Sequence, residues 1–326
     1  MSQSKASTYL VTGAAGFIGS SFVDSCNQRN IRVISVDSKK HFLERTEHQT
    51  VRHDQILDRD QLMGWLQSQR PQLQGIVHLG AITDTRETNE ELLQRLNLHY
   101  SQALWDYASA EKIPFVYASS AATYGDGILG YDDDENEIAK LSPLNLYGES
   151  KHKFDLWALK QEKNHNQPPH WCGFKFFNVY GFGERHKGFM SSVVFQSFNQ
   201  IQELNKATLF KSHRPDIPDG FQKRDFIFID DVIEVLHFAI EKPILRGIYN
   251  LGTGQARTFL KLTQSVFQAL GKPENIFYID TPLKIRDQYQ YFTEAKMDRL
   301  RKQGYLQAFT PLEEGVLRYV RRLKNE

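Results

Sequence analysis

One stretch constrains the fold more than any other: Gly13-Ala14-Ala15-Gly16-Phe17-Ile18-Gly19. It follows a short apolar run, Tyr9-Leu10-Val11, and opens a helical segment that runs to about Asn30. A turn with three glycines at this spacing, between a strand and a helix, has a mechanical purpose. Gly13 permits the tight turn, Gly16 lets the backbone approach a pyrophosphate, and Gly19 lets helix and strand pack closely. The first helical turn, with Phe17 and Ile18, then offers N–H donors to phosphate oxygens. The next apolar strand, Ile31 to Val36, ends at Asp37, about 20 residues on, where a carboxylate can accept a ribose hydroxyl. Asp37 favours NAD; Lys39 and Lys40, after Ser38, can neutralise a 2′-phosphate and favour NADP. The pattern leaves both cofactors open. Asp54 is a candidate contact to the adenine, or a surface turn residue.

The rest of the first half repeats the alternation. Gly75 to Leu79 and Pro114 to Ala118 read as strands, with helical stretches such as Glu90 to Glu111 between them. Alternating strands and helices predict an α/β fold with a Rossmann-like, doubly wound parallel sheet. Beyond Lys151 the order is less regular. Phe154 to Lys163 continues a helix, and Trp171 to Val179 reads as one apolar strand. Asp225 to Ile229 and Gly247 to Leu251 read as further strands, with a helix over Asp231 to Glu241 between them. The expected division is a dinucleotide-binding domain from residues 1–178 plus about 222–252, and a smaller mixed α/β substrate lobe from about 179–221 plus 253–326. Asp132-Asp133-Asp134-Glu135 reads as a solvated acidic loop, and His213 to Gly220, with two prolines, as a surface loop.

Composition narrows the partners. Forty Lys and Arg against 39 Asp and Glu leave a net charge of +1, so no basic field exists to hold nucleic acid or an anionic membrane. No apolar run approaches the roughly 20 residues that cross a bilayer. Met1 to Thr8 is short and polar, without the apolar core of a signal peptide, and a cytoplasmic location is expected. Cys26 and Cys172 form no C-x-x-C pair, and the eleven histidines show no H-x-x-x-H spacing, so no metal site is expected.

The chemistry concentrates in two segments. Tyr147-Gly148-Glu149-Ser150-Lys151 places a phenol and an ammonium four residues apart, on one face of a helix. A phenol with a pKa near 10 is a poor base at neutral pH unless a neighbouring cation favours its phenolate. Upstream, Tyr117-Ala118-Ser119-Ser120-Ala121-Ala122-Thr123-Tyr124-Gly125 follows the fourth strand, at the carboxyl edge where such sheets bind ligands. A serine there can steady the reacting oxygen beside Tyr147. Ser120 is the candidate, with Ser119 as a turn cap.

The set GAAGFIG, YASSAATYG and YGESK resembles the extended short-chain dehydrogenases that act on nucleotide sugars. FKFFNVYG (174–181), HKGFMSSVVF (186–195), KRDFIFIDDV (223–232), IYNLGTG (248–254) and QYQYFTEA (288–295) narrow the resemblance to the ADP-heptose 6-epimerase family, across nearly the whole chain. The resemblance implies an isomerase that interconverts the carbon-6 epimers of ADP-glycero-manno-heptose, a lipopolysaccharide core precursor. The implied route is transient oxidation to a keto sugar by tightly held NADP, or NAD. It implies a homo-oligomer. It maps one acid/base onto Tyr147 and a second onto Lys187, which the sequence alone reads as a surface lysine. It places Leu79, Gly80, Ala81, Thr83, Asn97 and Val179 at the cofactor, though Asn97 also reads as a helix-surface residue. It brings Asn178, Gln196, Phe210, Lys211, Ser212, Arg224 and Tyr289 to the substrate, with Arg224 suited to a diphosphate. His186 is expected to shape its loop.

Three departures bear on the sugar. Phe189 stands where the family has a serine, Gln196 where it has a histidine, and His213 to Gly220 reads as an insertion. Ala121 and Ala122 replace the Asp-Glu pair of related dehydratases, which disfavours elimination. A UDP-sugar 4-epimerase is the enzymatic alternative, and Lys187 speaks against it. A non-catalytic dinucleotide sensor is the alternative of another class; it has no need of an intact Ser, Tyr and Lys set.

Overall fold

A computed structural model describes residues 7–242, 245–286 and 289–325. Met1 to Ala6, on which most of the polar N-terminus rests, and Gln288 of the QYQYFTEA segment lie outside these residues. Twelve strands are described: β1 (Thr8–Thr12), β2 (Arg32–Asp37), β3 (Gln55–Asp58), β4 (Gly75–His78), β5 (Phe115–Ser120), β6 (Trp171–Phe176), β7 (Asn178–Tyr180), β8 (Ala207–Phe210), β9 (Lys223–Phe228), β10 (Arg246–Leu251), β11 (Ala256–Thr258) and β12 (Ile276–Ile279).

Seven strands form one sheet in the order β10-β6-β5-β4-β1-β2-β3, with every neighbouring pair parallel. A parallel sheet is covered on both faces, which is why its central strands are continuous apolar runs rather than alternating ones. The helices Phe17–Gln28 and Ile229–Glu241 pack together on one side of it, and Leu146–Lys163 packs against the Glu90–Ala110 stretch. The doubly wound expectation holds. The chain reverses direction across the sheet between β1 and β4, and that switch point opens the crevice in which such folds bind ligands.

The helical stretch expected over Glu90 to Glu111 is present with a π-helical turn, Gln94–His99, in its middle. Such turns widen the backbone locally. Trp171 to Val179 is not one strand. β6 ends at Phe176 in the large sheet, and β7 pairs with β9 in a second, three-stranded sheet, β11-β9-β7. β9 therefore leaves the large sheet, against the expected boundary at about residue 222, whereas β10 stays in it. β8 and β12 form a small parallel pair. The helices Val193–Leu204, Phe259–Leu270 and Leu312–Lys324 pack on one another beside these sheets.

The acidic stretch is not simply solvated. Asp133 Oδ2 accepts the Asn250 N–H at 2.7 Å, and Glu135 Oε1 accepts the Ile248 N–H at 2.8 Å. Arg299 donates to the carbonyls of Asp133 and Ile248 and to Glu135. These side chains satisfy the outer edge of β10, the last strand of the sheet, and so close an edge that could otherwise pair with another chain.

Candidate active site

The glycine turn forms as the spacing predicts. Gly13 has φ of +69°, and a Cβ there would come within 2.8 Å of the Leu79–Gly80 backbone, so the turn packs directly on the end of β4. The Phe17–Gln28 helix starts at Gly16 with no side-chain cap and no acid in its first turn. Its N-terminus therefore faces the crevice with its dipole uncompensated by the chain. Asp37 closes the far side. Its carboxylate accepts the Ala15 N–H at 3.2 Å, the Ser38 N–H at 2.8 Å and the His41 ring at 2.7 Å. Burial pushes this carboxyl up, but the His41 hydrogen bond and the other donors bring it below its ordinary value.

A cavity of about 660 Å³ runs from this turn to the catalytic candidates. Gly13, Gly16, Phe17, Ile18, Gly19, Asp37, Leu79, Gly80, Ala81, Thr83, Asn178 and Val179 line it, together with Ser120, Tyr147, Lys151 and Lys187. Sequence reasoning missed three lining residues, His41, Arg45 and Arg59. No local motif marks them, because they come from the connections either side of β3. Two buried polar groups in the wall, Arg59 Nε and the Tyr100 hydroxyl, have no hydrogen-bond partner among the described residues. Buried donors of this kind are normally satisfied. With the uncapped helix N-terminus and Asp37, they fit a dinucleotide.

Several expected contacts lie elsewhere. Asp54 accepts the Val33 N–H, near the start of β2, while Asp58 is the residue paired with Asp37 at the cavity edge. Ser38 and Lys39 do not line the cavity; the Lys39 N–H is held by Asp58. Asn97 is fully buried in the π-helical turn. It bonds both the N–H and the carbonyl of Ile82, and the Ser150 hydroxyl, so it braces the loop after β4 rather than facing a ligand.

The Leu146–Lys163 helix begins with Asn145, whose side chain accepts the Gly148 N–H at 2.8 Å. Gly148 matters for close approach: a Cβ there would meet the Ala122 carbonyl oxygen at 2.9 Å. The absence of a side chain brings the helix against the Ala121–Tyr124 turn, and Tyr147 within hydrogen-bonding reach of Ser120. An aromatic wedge beneath holds the helix down. Trp105 meets Trp171 at 4.9 Å, and Tyr117 meets Phe154 edge-on at 4.8 Å. Each such pair contributes about 0.5–1.5 kcal/mol beyond area burial.

Burial raises the Tyr147 phenol, and the Ser120 hydrogen bond opposes the rise. Lys151 donates its ammonium to the Ala118 carbonyl at 2.8 Å. Burial pushes it down to about 8, against the charge of Asp155. Ser119 and Ser120 both line the cavity, but the Ser119 hydroxyl donates to Asp155 at 2.7 Å, and Ser120 is the one hydrogen-bonded to Tyr147. Asp155 also pairs with Lys175 at 2.7 Å, with both side chains fully buried. Lys175 was legible as an anomaly, a lysine inside the apolar run Phe174 to Phe177.

Lys187 enters from Arg185–Met190, a short helical segment between β7 and the Val193–Leu204 helix. Burial lowers its pKa, and Glu184, 3.9 Å away and wholly buried, raises it. Phe189 also lines the cavity, and the Arg86 guanidinium stacks 3.3 Å above its ring. Gln196 does not line the cavity. It donates to the carbonyls of Phe189 and Ser191 and ties the segment to the helix that follows. Metal-ligand residue types gather once among the described residues, at Glu47, His48 and His186, where Glu47 hydrogen-bonds His186 at 2.7 Å.

Arg224 and Tyr289 stand behind one wall. Phe226 and Phe259 line the cavity; the Arg224 guanidinium lies 5.5 Å from the Phe259 ring on one side and 5.5 Å from Tyr289 on the other. It donates to the carbonyls of Lys223 and Gln290 and has no carboxylate partner among the described residues. Phe210 meets Tyr289 edge-on at 6.3 Å. Lys211 is half exposed and pairs with Asp280, and the Ser212 hydroxyl donates to the Arg214 carbonyl. None of Phe210, Lys211, Ser212, Arg224 and Tyr289 lines the main cavity.

A parallel sheet with a glycine turn at its switch point, and Ser, Tyr and Lys facing that turn, is shared with a known class. The chain belongs to the NAD dependent epimerase/dehydratase family, whose profile matches residues 9–252. Within that class it is 42% identical to the ADP-L-glycero-D-manno-heptose-6-epimerase of Fusobacterium nucleatum, over 95% of this chain and 96% of the relative. It superposes on the crystal structure of the Helicobacter pylori ADP-L-glycero-D-manno-heptose-6-epimerase with a TM-score of 0.83, at 25% identity, covering 98% of this chain and 97% of that one. A UDP-N-acetylglucosamine 4-epimerase from Methanobrevibacter ruminantium has the same fold, with a TM-score of 0.83 at 20% identity over 98% of this chain and 99% of the other.

Proposed function

We propose that this protein inverts carbon 6 of ADP-glycero-manno-heptose, an isomerase step toward the lipopolysaccharide core. The enzyme acts on an ADP-sugar with a nicotinamide dinucleotide. The observation that carries the reading is the convergence of Ser120, Tyr147, Lys151 and Lys187 on the cavity that holds the glycine turn. Near-full-length similarity to enzymes of that name supports the sugar.

A nicotinamide dinucleotide held by the glycine turn and Asp37 would supply reversible hydride acceptance and a positive charge that favours the Tyr147 phenolate. Tyr147 takes the hydroxyl proton of one epimer, steadied by the Ser120 hydroxyl. Lys151 provides the positive charge that stabilises the phenolate. Lys187 takes the hydroxyl proton of the other epimer, because the two epimers present that hydroxyl on opposite sides of carbon 6. Arg45 and Arg59 near Asp37 favour NADP over NAD, since guanidinium groups suit a 2′-phosphate. Arg224, with no carboxylate partner among the described residues, is suited to the substrate diphosphate.

The same reading divides the labour between two lobes. Residues 1–178 with about 229–252 carry the cofactor, and about 179–228 with 253–326 carry the sugar nucleotide. Self-association is part of the same reading.

The test is direct. Purified protein, incubated separately with each ADP-heptose epimer and with UDP-glucose, should interconvert only the ADP-heptoses. Native mass spectrometry should find NADP and the subunit number. Tyr147→Phe should lower turnover by about 10²–10⁴-fold. Wild-type turnover in that variant would sink the acid/base assignment.

A further inference from the structure

Lys187 sits on a short segment held at its far end by Gln196 and Glu184. Arg185–Met190 is a short helical stretch broken at Gly188, where φ is +53°. A group that exchanges a proton with a bound sugar must be held tightly, because a misplacement of about 1 Å costs on the order of a hundredfold in rate.

A second hold, at His186 beside Lys187, comes from the opposite side of the cavity. Glu47 Oε1 accepts both the backbone N–H and the ring Nδ1–H of His186, each at 2.7 Å. The Glu47 side chain is only 5% exposed. Two residues earlier, Arg45 donates Nη1 to the Ala15 carbonyl at 2.7 Å, inside the glycine turn. One residue later, the His48 ring meets the His186 ring edge-on at 5.5 Å and hydrogen-bonds Ser20 in the helix that follows the turn. Residues 45–48 thus reach from the glycine turn to the residue next to Lys187.

We propose that Glu47 is the positioning residue of Lys187, tying the second acid/base group to the glycine turn through His186. The proposal rests on the reading of Lys187 given above. Glu47 does not touch the reacting atoms. A double hydrogen bond to one residue fixes both its backbone and its ring, which a single contact cannot do. The carboxylate suits the task because it accepts two N–H donors at once.

The consequence is asymmetric. Oxidation of one epimer delivers its hydroxyl proton to Tyr147, and oxidation of the other delivers it to Lys187. Weakening the Glu47 hold slows only the second. The test uses the full-length holoenzyme carrying Glu47→Ala or Glu47→Gln. Single-turnover reduction of the cofactor is followed by its near-ultraviolet absorbance, with each ADP-heptose epimer added separately. With Glu47→Ala, one epimer should react on the order of tenfold to a hundredfold more slowly while the other keeps its rate. Glu47→Gln, which retains one carbonyl acceptor, should recover part of the loss. Hydrogen exchange of residues 185–192 should quicken in Glu47→Ala without a change in the glycine turn. Equal slowing of both epimers, or unchanged exchange in 185–192, overturns the proposal. Lys187→Met separates the layers. If it slows both epimers alike, the acid/base reading of Lys187 fails and takes the proposal with it. If Lys187→Met is selective and Glu47→Ala is not, the positioning role alone is wrong.

Discussion

The Lys175 ammonium and the Asp155 carboxylate meet at 2.7 Å beneath the helix that carries Tyr147 and Lys151, and neither side chain is exposed to solvent. Tyr117, Ser119 and Thr123 complete the hydrogen bonding around them. A buried pair of this kind is costly to break and cheap to replace whole. Asp155→Asn or Lys175→Met should each destabilise the fold by about 3–5 kcal/mol in urea unfolding. The double variant Asp155→Leu/Lys175→Met should regain a large part of that loss. Additive losses would show that the two side chains act independently.

Asp133 gives the fold a pH dependence. Burial pushes its carboxyl up from 3.8 to about 6, against the Asn250 N–H and the Arg299 charge. The folded chain therefore binds this proton before the unfolded chain does, and stability falls as pH rises from about 4 to about 6. Asp133→Asn keeps an acceptor for Asn250 and removes the charge. At neutral pH it should match or exceed the wild type by on the order of 1–3 kcal/mol, with the difference fading below about pH 4. Urea midpoints at the two pH values decide it. A variant less stable than the wild type at neutral pH, with the deficit gone at acid pH, would reverse the assigned sign.

Asn97 satisfies both backbone groups of Ile82 from inside the π-helical turn. Asn97→Ala leaves a buried N–H and carbonyl without partners, so a loss of about 1–3 kcal/mol is expected in thermal or urea unfolding. Because Asn97 does not line the cavity, cofactor affinity of the folded variant should change little. A large affinity loss with intact stability would return Asn97 to the cofactor.

Both thiols are inert by placement. Cys26 and Cys172 are buried, and burial pushes Cys26 up to about 12 and Cys172 well above its ordinary range. Thiolates are the reactive form. An aromatic disulfide reagent should label neither cysteine in the native protein and both in guanidinium.

What could be read from the chain was local. The glycine turn, Asp37 at the end of β2, and Tyr147 and Lys151 on one helical face need only neighbours within one supersecondary unit. Alternate strand residues point to opposite faces, and Ser119 turns to Asp155 while Ser120 turns to Tyr147. What escaped depends on distant segments. Arg45, Arg59 and Glu47 gain their places only when the connections around β3 fold over the turn. Asp132 to Glu135 looked solvated because its partners, Ile248, Asn250 and Arg299, lie more than a hundred residues on. Gln196 and Asn97 were polar residues in suggestive positions, and the structure spends both on backbone groups. The helices Val193–Leu204, Phe259–Leu270 and Leu312–Lys324 escaped although Ser192 and Thr258 cap two of them and Pro311 precedes the third, because such short start signals recur widely in loops.

The strand order has a consequence for synthesis on the ribosome. Ser120, Tyr147, Lys151 and Lys187 have all been made by residue 187, yet the strand that flanks β6 on its outer side is β10, residues 246–251. Until it emerges, β6 is a wholly apolar border save for one lysine, open to any passing strand. A nascent chain of two hundred residues therefore carries every reactive side chain together with an unsealed sheet edge, the kind of edge that invites mispairing.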